Sequence, residues 1–150
     1  MEAFLTEQGL PALFILSFLA ATLLPLGSEW LLLVLISHGE IPALAVGVAT
    51  CGNTLGAITT YLVGLYGGPL LAERVLRIDA AARQRAEARY SRFGSWSLLL
   101  SWLPVIGDPL CLVGGLLRVP AGRFVLLVGS GKLLRYAALA LLAAPALATG

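Results

Sequence analysis

Charge is what this sequence has least of. Only 12% of its residues are Asp, Glu, Lys or Arg, against the roughly 25% of an ordinary soluble domain. Residues 1–72 contain no Lys or Arg at all, so the basic start of a cleavable signal peptide is missing and none is expected. A net charge of +2 is too small to suggest a nucleic-acid partner. One His and two Cys are too few for a zinc site, and Cys51 and Cys111 both lie in apolar runs, where packed thiols are expected rather than a disulfide. No Ser/His/Asp grouping, Cys/His pair or metal-ligand spacing is present, so neither an enzyme nor a cofactor or metal is expected.

What remains is apolar: 59% hydrophobic residues and a mean hydropathy of +0.92. A domain of about 150 residues leaves roughly a third of its unfolded surface exposed, so it cannot hide this much apolar surface within itself. Lipid is the natural solvent for the excess. Four stretches run from about Leu10 to Ser37, Pro42 to Tyr66, Ser95 to Leu117 and Phe124 to Ala148. Each exceeds the ~20 residues that cross a ~30 Å hydrocarbon layer.

Two stretches are interrupted. The first carries Pro25 and Gly27 in FLAATLLPLGSEWLLL, and the third carries Pro104, Gly107 and Pro109 in LLLSWLPVIGDPLCLV. Proline removes a backbone donor and glycine adds freedom, so both stretches predict helices broken at membrane depth. Such breaks survive only where protein or a water-filled cavity satisfies the freed backbone groups. A kinked ordinary span is the alternative.

Basic residues set orientation. The polar segment AERVLRIDAAARQRAEARYSRF, with Arg74, Arg77, Arg83, Arg85, Arg89 and Arg92, belongs in the cytoplasm as a helix of about 70–92. It reads as a solvated helix, with a helix lying on anionic lipid as the alternative. Arg118 and Arg123 share the cytoplasmic side only if the third stretch dips in and returns. Residues 1–9 and the His38–Pro42 turn lack basic residues, so a returning first stretch puts both outside. The expected order is hairpin, span, cytoplasmic helix, hairpin, span, with the hairpins entering from opposite faces. This is one all-α membrane domain over 1–150, with half-repeats of about 10–67 and 95–149.

A repeat supports this order. Leu24-Pro25 and Leu103-Pro104 are each followed, four residues after the proline, by an acid: Glu29 and Asp108. Pro42 and Pro120 precede the full spans, and Gly52-Asn53 falls close to Gly131-Lys132. Oppositely oriented repeats with broken helices are a transporter signature, with the site near the midplane.

Glu29, Asp108, Lys132 and Arg135 lie within apolar runs, where each charge costs about 2.5–3.5 kcal/mol or more to insert. Lys132 is nine residues past Arg123, so it lies ~14 Å deep on helical geometry, and Arg135 is one turn further on the same face. One reading is structural: salt bridges between these acids and bases hold the hairpins. The other is a midplane site in which Glu29 and Asp108 carry protons while Lys132, Arg135 and Asn53 contact an anionic headgroup. Gly52, Gly56, Gly64 and Gly68 fall at multiples of four and read as a helix-packing face. GSGK at 129–132 is no phosphate loop, because Leu126 stands where that pattern needs glycine. Trp30, Trp96 and Trp102 are candidate interface anchors, Trp96 best placed.

The segments FLAATLLPLGSE, GNTLGAITTYLVG, RFGSWSLLLSWLPVIGDPLCLVGGLLR and GKLLRY resemble the DedA (SNARE-associated, VTT-domain) family of membrane proteins, in its YqaA-like branch. The resemblance covers nearly the whole chain apart from the Arg-rich segment. It implies two opposed re-entrant hairpins in the bacterial inner membrane and a role in lipid translocation, including undecaprenyl phosphate recycling, and in proton-dependent envelope homeostasis. Glu29 matches the family's first-hairpin acid. The two arginines that bracket the second hairpin's proline in DedA proper are replaced by Ser101 and Gly107, with Asp108 following. The expected function is an inner-membrane transporter or lipid translocase for an anionic lipid or lipid-linked phosphate, with proton coupling as an option. A non-transporting scaffold or assembly factor is the main alternative, and a small-ion or drug exporter a third. The chain is short for transport, so a homodimer is among the expectations.

Overall fold

A computed structural model of the chain describes residues 2–21, 28–67, 74, 79–103 and 106–148. Pro25, Gly27 and Pro104, on which two of the expected breaks rest, lie outside these residues, as does most of 70–78. Among the described residues the fold is entirely helical. Helix α1 covers Glu2–Ala20, α2 Ser28–Ser37 and α3 Pro42–Leu62, which ends in a wider π-type turn over Val63–Gly67. Helix α4 covers Ala80–Phe93 and leads into a tight 3₁₀ limb over Gly94–Trp102. Helices α5 (Gly107–Leu116) and α6 (Ala121–Ala148) complete the chain.

Local chemistry explains most boundaries. Pro42 begins α3, where a missing N–H costs nothing. Asp79 caps α4 by accepting the Ala82 N–H at 2.7 Å. Gly94 turns the chain out of α4 at φ +62°, a conformation glycine adopts without steric cost. Helix α1 starts well before the apolar run at Leu10, because its polar first turns are also good helix formers.

Among the described residues, two helices are long and apolar enough to cross a membrane: Pro42–Gly67, of 26 residues, and Ala121–Pro145, of 25. At ~1.5 Å per residue both exceed a ~30 Å hydrocarbon layer. They run antiparallel, since Tyr61 stacks on Phe124 at 4.5 Å while Asn53, about two turns before Tyr61, meets Lys132, about two turns after Phe124. The outer face of α6 presents Leu126, Leu134, Leu141 and Leu142, all largely exposed, as a lipid-facing surface requires.

The shorter elements pack on these two. Gly9 of α1 lies against Leu35, so the start of α1 and the end of α2 occupy one end of the bundle. Helix α1 then runs parallel to α3 until Thr60, whose hydroxyl donates to the Ala21 carbonyl at 3.4 Å. At the other end, Leu98 of the 3₁₀ limb lies against Gly114 of α5, and the Tyr61 hydroxyl donates to the Val119 carbonyl at 2.6 Å. The limb runs parallel to α6, with Leu99 against Gly131 and Trp102 against Arg135.

These approaches depend on missing side chains. A Cβ on Gly52 or Gly56 would stand 2.5 Å from the α1 backbone, and one on Gly115 would stand 2.0 Å from the Tyr61 carbonyl. The glycine face of α3 therefore serves packing, as small residues do between membrane helices.

Helix α4 departs from the solvated helix its arginines suggest. Ala86 and Tyr90 are buried in the same cluster as Leu110, Val113 and Phe124, and Ala82 packs by Leu112. Arg85, Arg89 and Arg92 take the remaining faces. Burial pushes the Tyr90 phenol up, with Arg123 pulling against it.

Gly115→Leu is expected to force α5 off α3 and lower stability by about 2 kcal/mol, a typical overpacking cost. Gly47→Ala, in the same helix system but facing open space, is expected to be neutral or to stabilise by up to about 1 kcal/mol. Thermal unfolding of the two variants in detergent checks the contrast.

Candidate functional site

Every fourth residue along one face of α3 is buried: Ala45, Ala49, Asn53, Ala57 and Tyr61. The same holds for α6: Phe124, Val128, Lys132, Tyr136 and Ala140. These are the two faces that meet. Each is apolar except at its middle member, and the middle members touch. The Lys132 ammonium donates to the Asn53 side-chain oxygen, and the Asn53 amide donates to the Ser17 carbonyl of α1 at 3.0 Å. Lys132 is only 3% exposed and Asn53 4%. A polar layer thus separates two apolar clusters, one built on Leu32, Leu35 and Ala49, the other on Tyr61, Leu110 and Phe124.

Glu29 enters this layer from α2. It is the second residue of a ten-residue helix, where the backbone dipole favours an acid. Its carboxylate forms an ion pair with Arg135, each side chain about a fifth exposed. Arg135 also donates to the Trp102 carbonyl at the end of the 3₁₀ limb, at 3.0 Å. Beside this pair the Ser28 and Tyr136 hydroxyls share a hydrogen bond of 2.9 Å.

Asp108 enters from α5, where it is also the second residue of a ten-residue helix. Lys132 is the cation that bears on it most, followed by Arg135. Gly107 makes this corner possible, because a Cβ there would stand 2.2 Å from the Ser101 carbonyl. Pro109 falls in the first turn of α5, where its lack of an N–H breaks no helical hydrogen bond.

Glu29, Asp108, Lys132, Arg135 and Asn53, picked out from sequence, therefore surround one layer of the bundle. Gly107 and Pro109 sit at the start of α5, while Pro25, Gly27 and Pro104 lie outside the described residues. Three participants escaped the sequence reading. Cys111, fully buried, lies one turn after Asp108. Its i+3 spacing from Asp108 was the available signal. Tyr136 and Ser28 are the others, and the buried four-residue stripe through Lys132 would have pointed to Tyr136. Cys51 differs from the packed thiol expected: it lies on the exposed side of α3.

The four charged groups sum to zero, so the layer can exist in lipid without net charge. It also carries spare polar capacity. The Thr54 and Ser101 hydroxyls are buried without a hydrogen-bond partner among the described residues. Chemically, two helix N-termini, two acids and two cations converge there, an arrangement suited to holding an anion and moving a proton.

Removing one member is expected to cost more than removing a pair. Asn53→Ala leaves the Lys132 ammonium without its hydrogen-bond acceptor and should cost about 2 kcal/mol. Adding Lys132→Met together with Asp108→Asn to that variant should recover most of the loss, because it removes the lone buried ammonium and the acid it balances. A cycle of Glu29→Gln and Arg135→Gln should give a coupling of about 1–2 kcal/mol. Unfolding midpoints of the purified variants in detergent measure both effects.

The VTT domain family matches residues 24–144. The chain is 39% identical over 130 residues to inner membrane protein YqaA of Escherichia coli strain K12, covering 86% of this chain and 87% of that protein. The YqaA protein of Shigella flexneri matches to the same extent. A Haemophilus influenzae protein is 35% identical over 154 residues, covering 95% of this chain and 92% of its own. No solved structure matches the chain. The relatives named after a location are inner-membrane proteins, and this polytopic helical chain is one as well. It belongs to the VTT-domain (DedA) family.

Proposed function

We propose that this protein moves an anionic lipid or lipid-linked phosphate across the inner membrane, with Lys132, Arg135 and Asn53 holding the headgroup and Glu29 and Asp108 carrying protons. The observation that carries this reading is the meeting of two acid-bearing helix N-termini at a Lys–Arg pair in the middle of the bundle. Charge balance links the two cargoes. The layer is neutral with both acids ionised, so an arriving monoanion restores neutrality when one acid takes up a proton. The Thr54 and Ser101 hydroxyls add donors for phosphate oxygens.

In the same proposal, α1 with α2 and the 3₁₀ limb with α5 are re-entrant hairpins of an inverted repeat, spanning about 10–67 and 95–149 with the cytoplasmic helix between. Three features support it. Helices α2 and α5 have equal length and carry an acid at the same position. Each hairpin's first limb runs parallel to its own long helix. The two long helices are antiparallel.

One observation favours the scaffold reading: Glu29 and Lys132 already have partners within the chain. Lys132→Gln separates the two. On the transport reading the variant inserts and folds, yet lipid translocation in reconstituted vesicles falls at least about tenfold, the factor for one lost charge-assisted contact. Unchanged translocation rejects the site, and an absence of translocation by the parent protein leaves the scaffold. Topology has its own check. Ser95→Cys and Gly122→Cys should both label from the cytoplasmic side, and labelling from opposite sides rejects the second hairpin.

A further inference from the structure

A groove of about 400 Å³ opens on the outside of the bundle between the 3₁₀ limb and α6. Leu99 and Trp102 form one wall, Leu134 and Ala138 the other, and Gly131 the floor. Arg135 is the one charged residue of its lining among the described residues. We propose that this groove seats an acyl chain of an anionic lipid whose headgroup is held by Arg135, so that cargo enters sideways from the bilayer. This deepens the lipid-moving reading and rests on it.

Three observations fix the occupant. First, the groove lies on the face of α6 that presents Leu126, Leu134, Leu141 and Leu142 outward, so its surroundings are hydrocarbon rather than water. An occupant must therefore arrive from lipid and carry an apolar tail. Second, the walls are apolar apart from the guanidinium, which selects a tail with an acid at one end. Third, Arg135 is already positioned. It donates one N–H to the Trp102 carbonyl and another to Glu29, which leaves the rest of its five for a phosphate oxygen. Because Glu29 and Asp108 both act on this layer, protonation of either would strengthen the hold on an anion.

The groove is also shaped by sequence. A Cβ at residue 131 would stand 2.8 Å from the Leu99 carbonyl, so glycine there sets both the close approach of the limb and the depth of the floor.

Trp102, at the wall, reports occupancy directly. With Trp30→Phe and Trp96→Phe it becomes the sole indole. The protein is reconstituted in vesicles containing phosphatidylglycerol or phosphatidylcholine brominated on the acyl chain. Bromine quenching of Trp102 should favour the anionic lipid by about tenfold in relative association, as one charge-assisted contact implies. Glu29→Gln with Arg135→Gln, which leaves no lone charge behind, should abolish that preference, and Arg135→Lys should retain part of it. Ala138→Phe, which fills the groove from an exposed position, should weaken quenching by both lipids.

Equal quenching by the two lipids in the parent protein overturns the proposal, as does a preference that survives the double variant. Loss of the preference on adding inorganic phosphate means that the charge selects a free anion, and this too overturns it. Quenching reads occupancy and not movement. A selective groove in a protein that moves no lipid defeats the transport reading alone, while a non-selective groove in a protein that moves lipid defeats this inference alone.

Discussion

Lys132 and Arg135 sit one turn apart on a helix whose other buried neighbours are Val128, Tyr136 and Ala140. Lipid offers these two cations nothing, and the long helix that carries them cannot bend them out to water from that depth. The rest of the chain has to come to them, and it does so in the cheapest way available to a backbone. Two short helices end inside the bundle, each with an acid in its first turn, so that helix dipole and carboxylate act on the same pair of cations. A third helix supplies Asn53. The folding problem and the functional site are in this sense one problem, because what stabilises the cations is also what makes the layer chemically capable.

The layer divides its labour unequally. Arg135 takes the full counter-charge of Glu29 and a backbone carbonyl besides, which suits a planar group with several donors. Lys132 takes a neutral amide and feels Asp108 only through space. A neutral partner leaves the ammonium with unspent attraction for an anion, whereas an ion pair spends most of it. On the transport reading, Arg135 meets the cargo at the groove, and Lys132 adds its attraction once the headgroup reaches the layer.

Much of this was written in the sequence. Charges inside apolar runs cannot be accidental, so Glu29, Asp108, Lys132 and Arg135 stood out by their surroundings alone, and the lengths of the two long helices followed from hydropathy. Pairing was not legible. Whether Lys132 meets an acid or Asn53 depends on the rotation of α3 against α6, which is set by contacts such as Thr54 by Gly129 and Tyr61 on Phe124, too short-ranged to read from spacing. The docking of α4 was hidden for a related reason. Its buried face is Ala82, Ala86 and Tyr90, small or half-polar residues that hydropathy scores as unremarkable between arginines. The 3₁₀ limb was hidden too, because its residues suit an ordinary helix and only the docking against α5 and α6 tightens it.

The asymmetry between the two halves bears on how such a site could work. The first half approaches the layer with a 19-residue helix that continues past it to the level of Thr60, while the second approaches with a nine-residue 3₁₀ limb that stops there, at the Trp102 carbonyl. A 3₁₀ segment has poorer hydrogen-bond geometry than an α-helix and is correspondingly easier to displace. It is held at its tip by Arg135, the same group that would engage a headgroup. An anion competing for that guanidinium would thus loosen the weaker limb and leave the stronger one in place. If the 3₁₀ limb moves during a transport cycle, α4 rides with it, because Ala86 and Tyr90 share a buried cluster with Leu98.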